Sequence, residues 1–231
     1  MNKLNTFTSK AELDQALAEK IAQQLQDAIE QKGHASIAFS GGSTPKGLFD
    51  ALSNIDLDWH KVTVTLADDR WVDEQHDSSN AKLIKENLLV NHAHAARFFA
   101  LKQGQDLTKE QLAELTEQAH QHVLPLDVTI LGMGEDGHTA SIFPCSAQVD
   151  EGLDVDATPA LIKVVPTTAP FERISFNFTA LIQSNHLYLH IVGDSKQQVL
   201  EQALSSDDAR EMPIRAFLQH PTKLCEIYWT H

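Results

Sequence analysis

The sequence predicts an α/β fold with a mainly parallel sheet carrying helices on both faces. Two observations predict it. Short runs of apolar and β-branched residues alternate along the chain with helix-period stripes, the pattern of repeated strand–helix crossovers. Most of those runs end in turns rich in Gly, Asp and Ser that open into the next helical segment, as right-handed crossovers between parallel strands require.

In chain order, Ser9 and Glu12 form a capping-box pattern, and Leu13, Leu17, Ile21, Leu25 and Ile29 then recur every four residues until Gly33. That is an amphipathic helix with a start and a stop. Residues 36–39 read as a short strand; after the loop 40–44, Pro45 suits the first position of a helix capped by Thr44. Residues 61–66 alternate like a strand and lead into a polar loop, 67–77. Ser79 opens a helix with Leu83, Ile84, Leu88 and Leu89 on one side, and 97–101 reads as a strand. Thr108 and Gln111 cap the next helix, which carries Leu112, Leu115 and Ala119.

Val128–Leu131 is a buried strand by its apolar run, and Thr139 and Ser141 are placed to start a short helix after it. Residues 150–156 read as an acidic loop. Strands follow at 161–165 and 173–178, partial helix at 177–184, a strong strand at 186–192, a helix at 196–204 and a last strand at 223–229. No linker or repeat divides the chain, so one domain over residues 1–231 is expected.

Composition narrows the function. A formal charge of −14 argues against nucleic acid as the main partner, since phosphate backbones need clustered Lys and Arg. An anionic substrate would require the few basic residues to gather in one place. Cys145 and Cys225 are too few for a disulfide framework and lack metal-ligand spacing; two reduced thiols in a cytoplasmic protein is the reading. The N-terminal residues lack the apolar core of a signal peptide, and no run approaches membrane-spanning length. The histidine pairs His92/His94 and His120/His122 have no third ligand nearby and read as surface residues, so no metal site is expected.

Four turns carry unusual chemistry, and in a parallel sheet such turns meet at the carboxyl ends of the strands. In SGGSTP, Gly41 and Gly42 permit close backbone approach and Ser43 and Thr44 offer hydroxyls ahead of a helix start, a cradle for phosphate or carboxylate. It has no P-loop frame. In ADDRW, Asp68 and Asp69 adjoin Arg70, whose fork suits a bidentate anion. In GMGEDGH, Gly132, Gly134 and Gly137 surround Asp136 and His138, an acid and a base two residues apart on a sharp turn. In GDSK, Lys196 offers a second cation. Gly132, Gly134 and Gly137 also satisfy the GxGxxG dinucleotide fingerprint. That motif needs a following helix, a second strand and an acid ending it. Here the next apolar run ends in Pro166 and Thr167, and the acids of 150–156 fall in a loop, so no nucleotide cofactor is expected.

Together these segments resemble the 6-phosphogluconolactonase family. Residues 40–45, 68–70 and 132–144 match its SGGSTP, DER- or DDR-type and GMGxDGHTASLFP segments, with Ile142 where Leu is usual. Arg173-Ile-Ser-Phe, residues 193–196, 213–218 and 223–225 resemble its tail motifs. The related glucosamine-6-phosphate deaminases share the phosphate loop and a DGH motif. Their DGH is followed by IAFNEP and their second motif reads MDEY, where this chain has TASIFP and ADDRW. The resemblance implies a Rossmann-like fold without a nucleotide or other cofactor. It also implies hydrolysis of 6-phosphoglucono-δ-lactone in the oxidative pentose phosphate pathway, by a monomer or weak homodimer. In that reading His138 activates a water, and Asp136 orients it or shapes the turn. Gly41, Gly42, Ser43, Thr44, Asp68, Arg70, Gly134 and Lys196 hold the substrate, and amides of the glycine turn or Arg70 hold the oxyanion. A deaminase-like aldose–ketose isomerase and a non-catalytic sugar-phosphate sensor are the alternatives; a sensor has no need of a base at that turn.

Overall fold

The structure is a computed structural model that describes residues 2–231. Its main sheet has seven strands: β1 (Asn2–Thr6), β2 (Ala35–Phe39), β3 (Val62–Leu66), β5 (Arg97–Phe98), β6 (Val128–Leu131), β9 (His186–Val192) and β10 (Cys225–Thr230). Their spatial order is β1-β10-β9-β6-β2-β3-β5, and every pairing is parallel. A second sheet of three antiparallel strands, β4 (Asp68–Arg70), β8 (Arg173–Phe176) and β7 (Leu161–Val164), lies in the order β4-β8-β7.

The main sheet is wound outward from its middle. From β2 the chain proceeds to β3 and β5 on one side; from β6 it proceeds to β9 and β10 on the other. With right-handed crossovers, the two arms place their helices on opposite faces, and a crevice opens above the carboxyl ends of β2 and β6, where the order reverses. That crevice holds the site described below.

Local signals account for most elements. Helix α1 (Lys10–Lys32) starts where the Ser9 side chain accepts from the Glu12 amide at 3.2 Å and ends at Gly33 with φ +85°. Glu12 reaches back to the amide of Thr8 at 3.0 Å, completing the cap one residue earlier than the capping box predicts. Leu13, Leu17, Ile21 and Leu25 are fully buried, Ile29 nearly so. Helix α2 (Lys46–Ser53) follows the cradle loop, and Phe49 on it meets Phe39 of β2 edge to face at 5.2 Å. Burying such a ring stabilises by roughly 1.5–3 kcal/mol, and the aromatic pair adds about 0.5–1.5 kcal/mol. The loop between the two elements is therefore anchored at both ends.

The other helices are α3 (Asn80–Asn87), α4 (Lys109–His122), α5 (Val149–Leu153), α6 (Phe178–Ile182), α7 (Asp194–Leu204) and α8 (Ile214–Leu218). Ser79, Thr108 and Asn177 cap α3, α4 and α6 by accepting a backbone amide, the first two as their positions predict.

Several sequence expectations are corrected. Pro45 occupies the N-cap of α2 with no side-chain cap, so Thr44 does not cap that helix; it lines the crevice instead. Residues 68–70 are not loop but strand β4: Ala67 still donates to Phe39 O at 2.8 Å and accepts from the Phe176 amide at 3.0 Å, so the chain changes sheets there. Thr139 and Ser141 start no helix. Thr139 and Ile142 form an isolated bridge around Ala140 at φ +49°, because Ser141 is drawn to the second sheet, donating its amide to Ser175 Oγ at 3.2 Å and its hydroxyl to Asp68. The acidic stretch 150–156 begins within α5, whose Gly152 packs on Ile142. Strand β1 has no counterpart in the sequence reading. Its polar, exposed residues show no alternation, and it is held as an edge strand by pairing with β10 from Asn2↔Cys225 to Thr6↔Trp229.

Candidate active site

The crevice above β2 and β6 is a cleft of about 340 Å³. Ser40–Pro45 and residues 130–134 form adjoining walls, joined where the Gly132 amide donates to Ser40 Oγ at 3.1 Å and Ser40 donates its amide to Ile130 O at 2.9 Å. Gly41 is needed for close packing: a Cβ there would lie 1.9 Å from Asn80 Oδ1. Asn80, the first residue of α3, can thus approach the cradle while donating Nδ2 to Asp68 O at 2.9 Å.

Three lysine and arginine side chains line the cleft. Arg70 and Arg173 are cross-strand partners in the β4–β8 ladder, and Lys196 joins them from the first turn of α7. Like charges directly opposite destabilise a sheet unless something compensates them. The Nε atoms of both arginines are buried without a hydrogen-bond partner, although Arg70 donates to Ser78 O at 2.7 Å and Arg173 to Pro170 O at 3.1 Å. Burial first, and the neighbouring Arg70 charge second, pull the Arg173 guanidinium below its ordinary value. Two crowded guanidiniums with unused donors form a site for an anion.

The two aspartates before Arg70 have different work. Asp68 lines the cleft, buried, with Oδ2 accepting from Ser141. Asp69 faces away, accepting the amides of Arg70, Asn80 and Ala81 at 2.8, 2.7 and 3.1 Å, and thereby fixes the start of α3. Burial pushes its carboxyl up to about 6 against those amides, which favour the charged form.

His138 shares the Phe143 ring with Arg173, whose guanidinium carbon lies 5.7 Å from that ring's centroid. The histidine Nδ1 lies 2.5 Å from Asp136 Oδ1, and its backbone amide donates to the same oxygen at 3.1 Å. A carboxylate only accepts, so in the neutral ring the proton resides on Nδ1 and Nε2 is left as the basic nitrogen. Burial alone would raise the Asp136 carboxyl, but the hydrogen bond and charge of His138, with the backbone amides, hold it below its ordinary value. Phe143 stacks on the imidazole at 4.0 Å between centroids, fixing the ring plane. Gly134 makes room for the pair: a Cβ there would lie 2.1 Å from His138 Nδ1 and 2.7 Å from Asp136 Oδ1.

The structure brings Gly41, Gly42, Ser43, Thr44, Asp68, Arg70, Gly134, His138 and Lys196 to the wall of this one cleft; Asp136 stands behind His138 rather than on the wall. Sequence reading did not select Arg173 or Asn80, which line it as well. The signal for Arg173 was a charge heading a strand otherwise ready for burial, a placement that soluble proteins rarely tolerate without a partner or a task. Three amides of the glycine turn are engaged elsewhere: Gly132 to Ser40 Oγ, Gly134 to His138 O at 2.9 Å and Gly137 to Gly134 O at 3.1 Å. The helix that a dinucleotide fingerprint needs after that turn is absent, and among the described residues no group of three His, Cys, Asp or Glu converges as metal ligands.

An open parallel sheet whose switch-point cleft is lined by a glycine–hydroxyl loop, three lysine and arginine side chains and a carboxylate-paired histidine defines an α/β protein with a cationic cleft beside an acid–base group. The family described as glucosamine-6-phosphate isomerases/6-phosphogluconolactonase matches residues 8–229, and the chain belongs to it. It is 42% identical to a 6-phosphogluconolactonase of Rhizobium meliloti over 98% of this chain and 97% of that one. It is 40% identical to one of Neisseria meningitidis over 96% of each. The crystal structure of a 6-phosphogluconolactonase from Shewanella baltica superposes with a TM-score of 0.96 at 42% identity, covering 100% of this chain and 98% of that one. A monomeric glucosamine-6-phosphate deaminase, at 16% identity and a TM-score of 0.80, shares the fold.

Proposed function

We propose that this protein hydrolyses 6-phosphoglucono-δ-lactone to 6-phosphogluconate, in the oxidative pentose phosphate pathway of the cytoplasm. The observation that carries the reading is the pairing of Asp136 at 2.5 Å with His138, which lines one cleft together with Arg70, Arg173 and Lys196. The cradle 41–44 and the cations hold the phosphate and so fix the lactone against the base. His138 Nε2 takes a proton from a water whose oxygen adds to the lactone carbonyl, and Asp136 stabilises the imidazolium that results. With three glycine-turn amides engaged elsewhere, an arginine is the stronger donor to the tetrahedral oxyanion. Collapse breaks the bond from the carbonyl carbon to the ring oxygen. His138 returns its proton to that oxygen, and the carboxyl product ionises. A lactone carbonyl is electrophilic enough for this sequence to need no covalent nucleophile.

The related deamination moves a proton between sugar carbons and so calls for a second acid–base group. Asp68 is already held by Ser141 and Asp69 by three amides, which favours the hydrolase. The test follows acid release from freshly prepared lactone against its spontaneous opening, with glucosamine 6-phosphate as the comparison substrate. Enzyme-proportional lactone opening without ammonia is expected. Ammonia release with no acceleration of lactone opening would overturn the assignment.

A further inference from the structure

Lys196 is not free. Its Nζ lies 2.7 Å from Glu135 Oε1, with the lysine side chain 22% exposed and the glutamate 65%. Among the described residues it is the one cation of the cleft in an ion pair with a carboxylate; Arg70 and Arg173 form none within 4.0 Å. Glu135 belongs to the turn that carries Asp136 and His138, so the bridge ties that turn to the start of α7, where Lys196 lines the cleft.

We propose that Glu135 is a built-in competitor for the anion site: its carboxylate occupies Lys196 until a phosphorylated ligand displaces it. The inference rests on the reading of the cleft as a phosphate-binding site. A phosphate dianion that engages Lys196 must either share it with Glu135, two like charges at one ammonium, or drive the glutamate out. Glu135 can leave at small cost because it is mostly exposed, and its carboxylate is solvated once released. The pair therefore lowers affinity for both lactone and product by the free energy of the bridge. This matters more for the product, because hydrolysis adds a carboxylate that the lactone lacks and so brings a further anion into a cleft already flanked by Glu135 and Asp136. Glu135 in this view is an affinity-setting residue that acts through Lys196.

An exposed or half-exposed pair is worth about 0.2–1 kcal/mol, which converts to a roughly 1.4- to 5-fold change in dissociation constant. The experiment is calorimetric titration of 6-phosphogluconate, and separately of inorganic phosphate. The proteins are the wild type, Glu135→Gln, Lys196→Met, the double variant, and Glu30→Gln, which removes the same charge from the exposed far end of α1. Glu135→Gln should bind both ligands more tightly by a factor within that range. The gain should disappear in the Lys196→Met background, as coupling between two residues requires, and be absent from Glu30→Gln. Glu135→Ser serves as a second variant should the glutamine disturb the turn, with melting curves as the check on folding. Unchanged or weaker affinity, a gain that persists without Lys196, or an equal gain from Glu30→Gln would each overturn the proposal. A wild type that binds neither ligand would refute the phosphate reading itself, whereas normal wild-type binding without the predicted gain refutes the competitor alone.

Discussion

Gly134→Ala isolates the geometry of the acid–base pair from the chemistry of its members. The backbone at Gly134 is not in the left-handed region, so alanine is tolerated there by the main chain. The added Cβ would lie 2.1 Å from His138 Nδ1, 2.2 Å from Cε1 and 2.7 Å from Asp136 Oδ1, where ordinary contact begins at 3.4 Å. The imidazole must therefore retreat by about 1 Å or more, and a displacement of that size at a reacting group costs on the order of 10²-fold in rate. Folding should suffer less. The pair is partly exposed, with His138 at 29% and Asp136 at 39%, so the ring can swing outward, and replacing Gly by Ala restricts the unfolded chain by about 0.4–1 kcal/mol in compensation. The assay follows lactone opening above the spontaneous rate, with 6-phosphogluconate affinity and melting temperature measured alongside. Turnover should fall about 100-fold while affinity changes little. His138→Asn should lose roughly 10²–10⁴-fold, and adding Gly134→Ala to it should cost almost nothing more, since both act through one group. Near-normal turnover in folded Gly134→Ala, or full additivity with His138→Asn, would refute the reasoning.

Three further outcomes are expected. Arg173→Met should weaken 6-phosphogluconate binding by roughly 10- to 100-fold, the worth of a charged hydrogen bond, without lowering the melting temperature, because it relieves a like-charge pair across β4 and β8; equal affinity would remove Arg173 from the site. Asp69, raised by burial to about 6 from an ordinary value of 3.8, keeps its proton in the fold between those pH values while the unfolded chain has released it. Its contribution to stability is thus fully present below about pH 4 and lost as pH rises through about 6, by up to roughly 3 kcal/mol. The stability difference between wild type and Asp69→Asn should accordingly shrink over that window in chemical denaturation, and a flat or rising difference would contradict the burial argument. Cys145 and Cys225 should separate cleanly in alkylation at pH 7.5. Burial raises the Cys145 thiol, but hydrogen bonding with Thr167 and Thr168 outweighs it and brings the thiol to about 7, whereas burial pushes Cys225 up to about 12. Mass spectrometry should show Cys145 modified first and Cys225 only on unfolding, and simultaneous labelling would count against this.

The parallel α/β arrangement was determined by the sequence itself, because period-2 runs, helix stripes and capping residues are local signals that survive into the fold. Leu13 to Ile29 and the caps at Ser79 and Thr108 are of this kind. The chemistry of the site was legible for the same reason: Gly41–Thr44 and Gly134–His138 each gather their residues within one turn. What only the tertiary structure decided depends on pairing between distant segments. Strand β1 owes its existence to the exposed edge of β10, and the segment 139–141 is turned from helix to bridge by Ser175 and Asp68. Residues 68–70 become a strand because β8 offers them an antiparallel partner, and that same register sets Arg173 opposite Arg70. No short-range pattern encodes a cross-strand neighbour more than a hundred residues away, so the paired arginines exist only once β4 and β8 have paired, and the bridge from Glu135 to Lys196 only once β6 and β9 lie side by side.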